Sequence, residues 1–489
     1  MYILLIFIPI LQSLLFWRTS NRRSLHLINV TGSFLLLLAV LSLLIQLQSS
    51  SAINYPLFNS FFYIDSLNAL VLATTVLVGF FVAVYSVGYL NNEYKLQTDI
   101  KKIKLFYSLT SAFIFTMVLV ATTQNLGLMW IAIEATTLAS VFLVGFSNTK
   151  RSLEAAWKYI IICSVGIALA FLGIVFLYFS SHQALQGAEP SLNWSYLFEQ
   201  ARSLDAGILK IAFIFVLVGF GTKAGLVPMH TWLPDAHSEA PSPVSALLSG
   251  VLLNNAMYGI IRFLSIVNKS LGSSLYTGRL MIALGILSIG TAALFILAQK
   301  DYKRLLAYSS IEHMGIIALS LGIFTPASLF ASFFHMFNHS LTKAMLFLSA
   351  GNVLQKFKTK DIGSINGLLK SMPLTGSVFL LGTMAIAGLP PFSIFSSEIN
   401  IALAAFTSGY SIVGSVFILL IALAFVSIAY TLFRMFFGLP SQEQNSNEKN
   451  TLGNAVILLL LVTITLTGFY MPLFLKNIFE SATRIVTGG

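Results

Sequence analysis

Residues 207–232 read GILKIAFIFVLVGFGTKAGLVPMHTW. The run is apolar over the ~20 residues that a helix needs to cross a bilayer, yet it carries Lys223 and then Gly225-Leu226-Val227-Pro228. Proline removes a backbone donor and clashes with the preceding turn, so the helix should break there. At membrane depth such a break is tolerated where neighbouring protein or a water-lined cavity satisfies the freed backbone groups. The pattern recurs at Ala387-Gly388-Leu389-Pro390-Pro391, 163 residues further on. Paired broken helices point to an ion or substrate path. Two purely structural proline kinks are the other reading of the breaks taken alone.

Working outward, the 489 residues are 57% hydrophobic and 9% charged, with mean hydropathy +0.86, against about 25% charged in a soluble domain. A soluble fold is excluded. Period-2 alternation is missing from the apolar runs, so the expected class is all-α, a polytopic membrane helical bundle. Fourteen transmembrane helices are expected at 1–17, 26–47, 66–90, 105–122, 126–146, 154–180, 207–232, 243–266, 280–297, 304–323, 327–354, 373–407, 411–434 and 453–475. The breaks fall on the seventh and twelfth, five helices apart, so two five-helix repeats would be inverted relative to each other. The expected organisation is 1–104 (helices 1–3), 105–266 (first repeat, helices 4–8), 267–437 (second repeat, helices 9–13) and 438–489 (a cytoplasmic loop and helix 14). The first run ends at Trp17 with no small-residue cleavage site, which reads as a retained helix. The one cysteine, Cys163, cannot hold an iron–sulfur cluster or an internal disulfide. Neither a cofactor nor a metal is expected in this chain, and redox chemistry would belong to a partner.

The net charge of +11 has a pattern. Every second joint collects basic residues: Arg18, Arg22 and Arg23; Lys95, Lys101, Lys102 and Lys104; Lys150 and Arg151; Lys300, Lys303 and Arg304; Lys356, Lys358, Lys360 and Lys370; Arg434 and Lys449, 18 in all, against six on the opposite side. The positive-inside rule then puts both termini on the non-cytoplasmic side of a prokaryotic cytoplasmic membrane. No basic–aromatic motif accompanies the charge, so nucleic acid is not an expected partner.

Ionisable groups inside spans cost about 2.5–3.5 kcal/mol each on insertion scales and are functional candidates. They are Glu134 in WIAIEATTLAS (130–140), Lys158, Lys223, Glu312, His313, Lys343 and Glu398. In FHMFNHSLTKAMLFLSAGNV (334–353), His335, His339 and Lys343 are spaced i, i+4, i+8 and share one helix face. Such a face suits proton hopping, because imidazole donates from one nitrogen while accepting at the other. Glu134 and Lys223 read as a buried pair, either structural or a proton-holding switch. His230 and His237, with Asp235 and Glu239, read as an entrance; helix capping by the two carboxylates is the equal alternative.

HTWLPDAHSEAPSPVSALLSG (230–250), DYKRLLAYSSIEHMG (301–315), the 334–353 segment and AGLPPFSIFSSEINI (387–401) together resemble the antiporter-like membrane subunits of respiratory complex I, Mrp-type sodium/proton antiporters and group 4 NiFe hydrogenases. The IEHMG ending and SGVLLNNAMYG (249–259) look most similar to the hydrogenase-4 type. By position, Glu134 matches the family's fifth-helix glutamate, Lys223 its broken-helix lysine, Lys343 its eleventh-helix lysine and Glu398 its twelfth-helix ionisable group. The resemblance implies a central hydrophilic axis, one proton path per subunit, and membership of a complex of membrane and peripheral subunits. One departure is that no ionisable residue lies between Val244 and Ile261, where relatives often have a histidine near the position of Ser249. Asn254 and Asn255 with water would then have to bridge Lys223 to His313. The chain is also expected to stop soon after its last span, without a long lateral helix.

The leading function is proton translocation coupled to electron transfer in the partner subunits of an oxidoreductase complex. A cation (Na+)/proton antiporter subunit, the proton-driven membrane subunit of an inorganic-carbon uptake complex and a non-conducting scaffold are the alternatives.

Overall fold

The computed structural model describes residues 2–49, 52–54, 61–94, 99–184, 191–439, 448 and 451–488. Lys95, Lys449, both chain ends and most of the 438–450 joint lie outside the described residues. The helices run α1 Tyr2–Arg18, α2 Arg22–Ser49, α3 Ser66–Glu93, α4 Ile100–Thr122, α5 Leu126–Val144, α6 Lys150–Ala184, α7 Trp194–Glu199, α8 Ala206–Ala224 and α9 Trp232–Glu239. Next, α10 Ser242–Leu247 continues through a π-helical turn at Leu248–Leu252 into α11 Leu253–Leu271. The rest are α12 Leu275–Leu297, α13 Tyr302–Ile323, α14 Pro326–Phe357, α15 Leu368–Ser371, α16 Pro373–Ile386, α17 Ser393–Thr407, α18 Ser411–Phe436, α19 Thr451–Phe469 and α20 Leu473–Thr487. Among the described residues, 11 helices are long and apolar enough to cross a membrane. The chain is an integral, multi-pass membrane protein.

Side-chain caps start several of these helices where the orphan N–H groups of the first turn need acceptors. Asp65, Asn125, Asp205, Asp301 and Thr325 cap α3, α5, α8, α13 and α14. Both expected breaks are present. α8 ends at Ala224 with Gly225 in the left-handed region at φ 78°, and α16 ends at Ile386 with Gly388 at φ 71°. After Gly225 the chain turns and forms the separate helix α9; after Pro391 it resumes as α17.

The most apolar windows of the Ser242–Leu271 segment and of α13 are 100% buried, whereas those of α18, α6 and α12 are 28%, 39% and 39% buried. Polar groups on α13 are therefore interior. Glycines let α12 and α13 approach backbone to backbone. A Cβ on Gly285 would lie 2.7 Å from the Gly315 carbonyl, and one on Gly322 would lie 2.8 Å from that of Gly278. In the first half a Cβ on Gly219 of α8 would lie 2.5 Å from the Gly166 carbonyl of α6. Small residues of this kind drive helix association where lipid offers no hydrophobic gain.

The basic joints gather at one end of the bundle. Arg22 bonds the Tyr94 carbonyl, Lys104 the Trp17 carbonyl at 3.4 Å, Lys358 pairs with Glu93 at 3.8 Å and Lys360 with Glu239 at 2.7 Å. At the other end, Asp65 and Arg262 form a fully buried pair at 2.8 Å, with the guanidinium 4.2 Å over Trp194. Two features depart from expectation. A short antiparallel pair joins Ala52–Asn54 to Tyr63–Asp65. The second is α20, a short helix after the last apolar span, which packs Phe479 against Phe330, Phe334 and Phe337 of α14 at 5.8–6.2 Å. Lys476 and Glu480 give this segment a polar face that masks its apolar one in a hydropathy reading.

Candidate proton path through the bundle

In the first half, α8 ends so that Lys223 is completely buried. Its ammonium donates to Thr137 Oγ1 at 2.8 Å and to Tyr159 Oη at 2.6 Å, and lies 4.6 Å over the Tyr159 ring. Thr137 in turn donates to Glu134 Oε2 at 3.3 Å, and Ser164 donates to Glu134 Oε1 at 2.8 Å. Glu134 and Lys223 thus meet through a threonine hydroxyl. Tyr159 reaches Ser140 Oγ at 2.7 Å, and Ser140 donates to the Thr136 carbonyl, which holds the phenol in place. Glu134 is half-buried, on a flank where Ile131, Leu138 and Phe142 are exposed.

Lys158 stands apart. Its neighbour Tyr159 points inward, and one residue of helix turns the next side chain by about 100°. Lys158 is half-exposed, paired with Glu154 at 2.6 Å and Asp235 at 3.3 Å. Asp235 also meets Arg304 at 3.2 Å, so it joins ion pairs at the basic end.

Between the halves lies His237. It is fully buried, and neither ring nitrogen has a hydrogen-bond partner among the described residues. Its ring faces Trp232 at 6.2 Å and Phe347 at 5.7 Å, while Trp232 lies 4.7 Å from Tyr159. Lys343 and Lys303 are the cations that act on it electrostatically. His237 therefore lies between the Lys223 cluster and Lys343. His230 is buried too, edge-on to Tyr308 at 6.4 Å, with Nδ1 unpartnered.

Among the described residues, Asn254 and Asn255 make no direct bond to either cluster, and the amide oxygen of each is buried without a partner. Asn254 donates to Ser340 Oγ at 2.7 Å and to the Met336 carbonyl at 3.1 Å, and Asn255 to Thr75 Oγ1 at 3.2 Å. They face α14 and α3, beside a cavity of about 10 Å³ lined by Thr74, Thr75 and Asn254, which is room for about one water. Ser249, on the π-helical turn, bonds Ser310 at 2.7 Å.

In the second half, Lys343 donates to the Leu306 carbonyl at 2.9 Å and to Ser309. Glu312 is buried with Oε2 unpartnered among the described residues, and acts electrostatically on Lys343. His339 is buried with both nitrogens unpartnered, its ring 5.4 Å from that of His313. His313 and His335 meet directly, Nδ1 to Nε2 at 2.9 Å. Their outer nitrogens are fixed. His313 Nε2 donates to the Ile386 carbonyl at 3.0 Å. Ser397 spends its hydroxyl hydrogen on the Ile394 carbonyl at 2.7 Å, so His335 Nδ1 donates to Ser397 Oγ at 2.8 Å. In neutral rings the one hydrogen of each imidazole is thereby used, and the two inner nitrogens face each other as lone pairs. With that hydroxyl setting the contact suits an electrophile between the two nitrogens, and with the Ser397 hydroxyl turned to His335 Nδ1 it is an N–H···N bond. Glu398 is beside it: one ligand atom each from His313, His335 and Glu398 lie within 4.8 Å of one another, all three residues buried. Gly388 covers the carboxylate, since a Cβ there would lie 2.2 Å from Glu398 Oε2. Pro390 and Pro391 of the same break are exposed.

The first half thus brings together Glu134 and Lys223, and the second half Glu312, His313, His335, His339, Lys343 and Glu398. Thr137, Tyr159, Ser164 and Ser397 were not singled out by sequence reasoning, and His237 was read as part of an entrance rather than as a link between the halves. Only His237 carried a signal, a histidine next to a break.

Residues 123–426 match the family described as NADH:quinone oxidoreductase/Mrp antiporter, TM, and residues 58–98 match NADH-Ubiquinone oxidoreductase (complex I), chain 5 N-terminus. The chain is 40% identical to a Hydrogenase-4 component F homolog of Methylacidiphilum infernorum over 82% of its own length and 83% of the relative's. It is 33% identical to Hydrogenase-4 component B of Escherichia coli over 68% of this chain and 49% of that one, so it spans about half of that relative. Among solved structures, chains of the Mrp complex from Dietzia sp. and of the archaeal membrane-bound sulfane sulfur reductase each superpose with TM-score 0.88 over 99% of this chain and 97% of theirs, at 21% and 24% identity. These last two likenesses establish the fold.

Proposed function

This chain belongs to the NADH:quinone oxidoreductase/Mrp antiporter transmembrane family, and from that premise we propose that it moves protons as the membrane subunit of a multi-subunit redox complex of the complex I and group 4 hydrogenase kind. The observation that carries this is the His313–His335 contact, two imidazole nitrogens facing each other 2.9 Å apart inside the bundle. A proton is the smallest electrophile that fits there, and imidazole passes it on without leaving its place. Glu134, Thr137, Lys223, His237, Lys343, Glu312, His339, His313, His335 and Glu398 form the series, from a half-buried carboxylate on one flank to a carboxylate under an exposed break on the other. Its interior donors are mainly nitrogen, whereas sodium favours oxygen ligands; this favours protons as the moving ion. Electron carriers belong on the partner subunits.

The paired breaks, a lysine at or near the middle of each half and the glycine contacts within each half support two five-helix repeats at 105–266 and 267–437. The chain's place is the cytoplasmic membrane of a prokaryote, with the basic end inside and both termini outside. Tags at Met1 and Gly489 are then expected to label in intact spheroplasts; labelling of both only after lysis refutes that orientation.

The test of function is the proton-to-electron ratio of the purified complex in liposomes. His335→Gln is expected to lower it, because a glutamine amide hydrogen-bonds but does not take up and release a proton near neutral pH as imidazole does. Lys158→Ala, in an exposed ion pair, is expected to leave it unchanged. An unaltered ratio in assembled His335→Gln complex overturns the reading.

A further inference from the structure

The His313, His335 and Glu398 cluster has the features of a metal centre. We propose that it binds one divalent transition ion of the zinc type in place of the shared proton. The first requirement is a set of ligand atoms of the right kind, and two imidazole nitrogens with a carboxylate are a common zinc set. These atoms already lie within 4.8 Å of one another.

A second requirement is that each ligating imidazole be oriented through its other nitrogen by a carbonyl or similar acceptor. His313 Nε2 meets that requirement by donating to the Ile386 carbonyl at 3.0 Å, as does His335 Nδ1 by donating to Ser397 Oγ at 2.8 Å. The inner nitrogens are left in the lone-pair form that a metal takes, so neutral rings lose no proton on binding. A proton already shared between them leaves to solvent. At a metal–nitrogen distance of about 2.0–2.1 Å, two tetrahedral nitrogen ligands sit about 3.3 Å apart. From the observed 2.9 Å the rings open by a few tenths of an ångström.

An independent observation points to the same place. His339 is fully buried, and both of its nitrogens lack a partner among the described residues, with its ring 5.4 Å from that of His313. Its nitrogens lie outside the group of atoms within 4.8 Å, so it borders the site, and the fourth position of a four-coordinate ion falls to water. The route in is the second break, where partly exposed Gly388 covers Glu398 and the next two residues but one are the exposed prolines.

An ion held here occupies the position the proton needs and blocks the path. The binding test does not depend on proton transfer: the purified full-length chain in detergent is titrated with Co2+, read by the visible ligand-field band of a four-coordinate site, and Zn2+ displaces it. One Co2+ per chain is expected. His335→Gln is expected to abolish the band, and Ser397→Ala, a positioning change, to weaken binding roughly ten- to a hundred-fold. Glu398→Gln serves if His335→Gln loses helicity, and exposed His182→Gln is expected to bind as the wild type does. No saturable band in the wild type, or an equal band in folded His335→Gln and Glu398→Gln chains, overturns the proposal and leaves the proton reading standing on its own test.

Discussion

Lys223→Ala is expected to lower coupled proton transfer by about a hundred-fold or more, with the complex still assembled. The lysine is the group through which Thr137 and Tyr159 connect to the rest of the first half, and alanine leaves the two hydroxyls with nothing to pass on. Assembly survives because the break is set by Gly225 in the left-handed region, not by the lysine. Lys223→Arg is expected to fail as well. Guanidinium stays protonated throughout the physiological range and so cannot release the proton it carries. The measurement is proton uptake per electron in liposomes; wild-type pumping by an assembled alanine variant would make the Glu134–Thr137–Lys223 cluster structural.

His237→Leu is expected to have nearly as large an effect with little loss of stability. Its imidazole makes no hydrogen bond among the described residues, so leucine removes no bond and refills the volume between Trp232 and Phe347 at a cost of about 1 kcal/mol or less. It does remove a titratable side chain that lies between Tyr159 and Lys343. The ratio should fall to that of Lys223→Ala while the melting temperature holds. Changing both Asn254 and Asn255 to leucine should do the reverse, since their bonds to Ser340, Met336 and Thr75 are worth about 0.6–2 kcal/mol each in a membrane protein and lie off the series. A normal ratio in His237→Leu together with a collapsed one in the asparagine variant would return the bridge to the asparagines.

The helices, the breaks and most of the interior charges were legible because membrane depth penalises them so heavily that each stands out in an apolar run. Gly225, Gly388, Lys223, Lys343 and the 335/339/343 stripe lie where one-dimensional spacing places them. Hydroxyls were not legible. A threonine in a span satisfies itself against its own helix at little cost, as Thr110 does at the Phe106 carbonyl, and a tyrosine carries no charge to mark it, so nothing in the sequence separates Thr137 and Tyr159 from Thr110 or Tyr107. Lys158 misled for a related reason: charge marks a helix, but only the rotation of that helix decides whether position 158 or 159 looks inward. His237 was placed with an entrance because the chain after a break has no period from which to read its direction. The Asp65–Arg262 pair joins residues 197 apart in sequence, beyond the reach of any local pattern.

The glycine contacts between α12 and α13 bear on how such a protein can work. Where two backbones touch through Gly278, Gly285, Gly315 and Gly322, neither helix can slide or roll without driving a carbonyl into a Cα. The helix that carries Glu312 and His313 is thus clamped as part of a stator. Whatever work arrives from elsewhere must be delivered to this half as changes in field, hydration and ring orientation rather than as a piston stroke of α13. Stiffness of that kind is what allows a signal a fraction of an ångström in size to remain a signal.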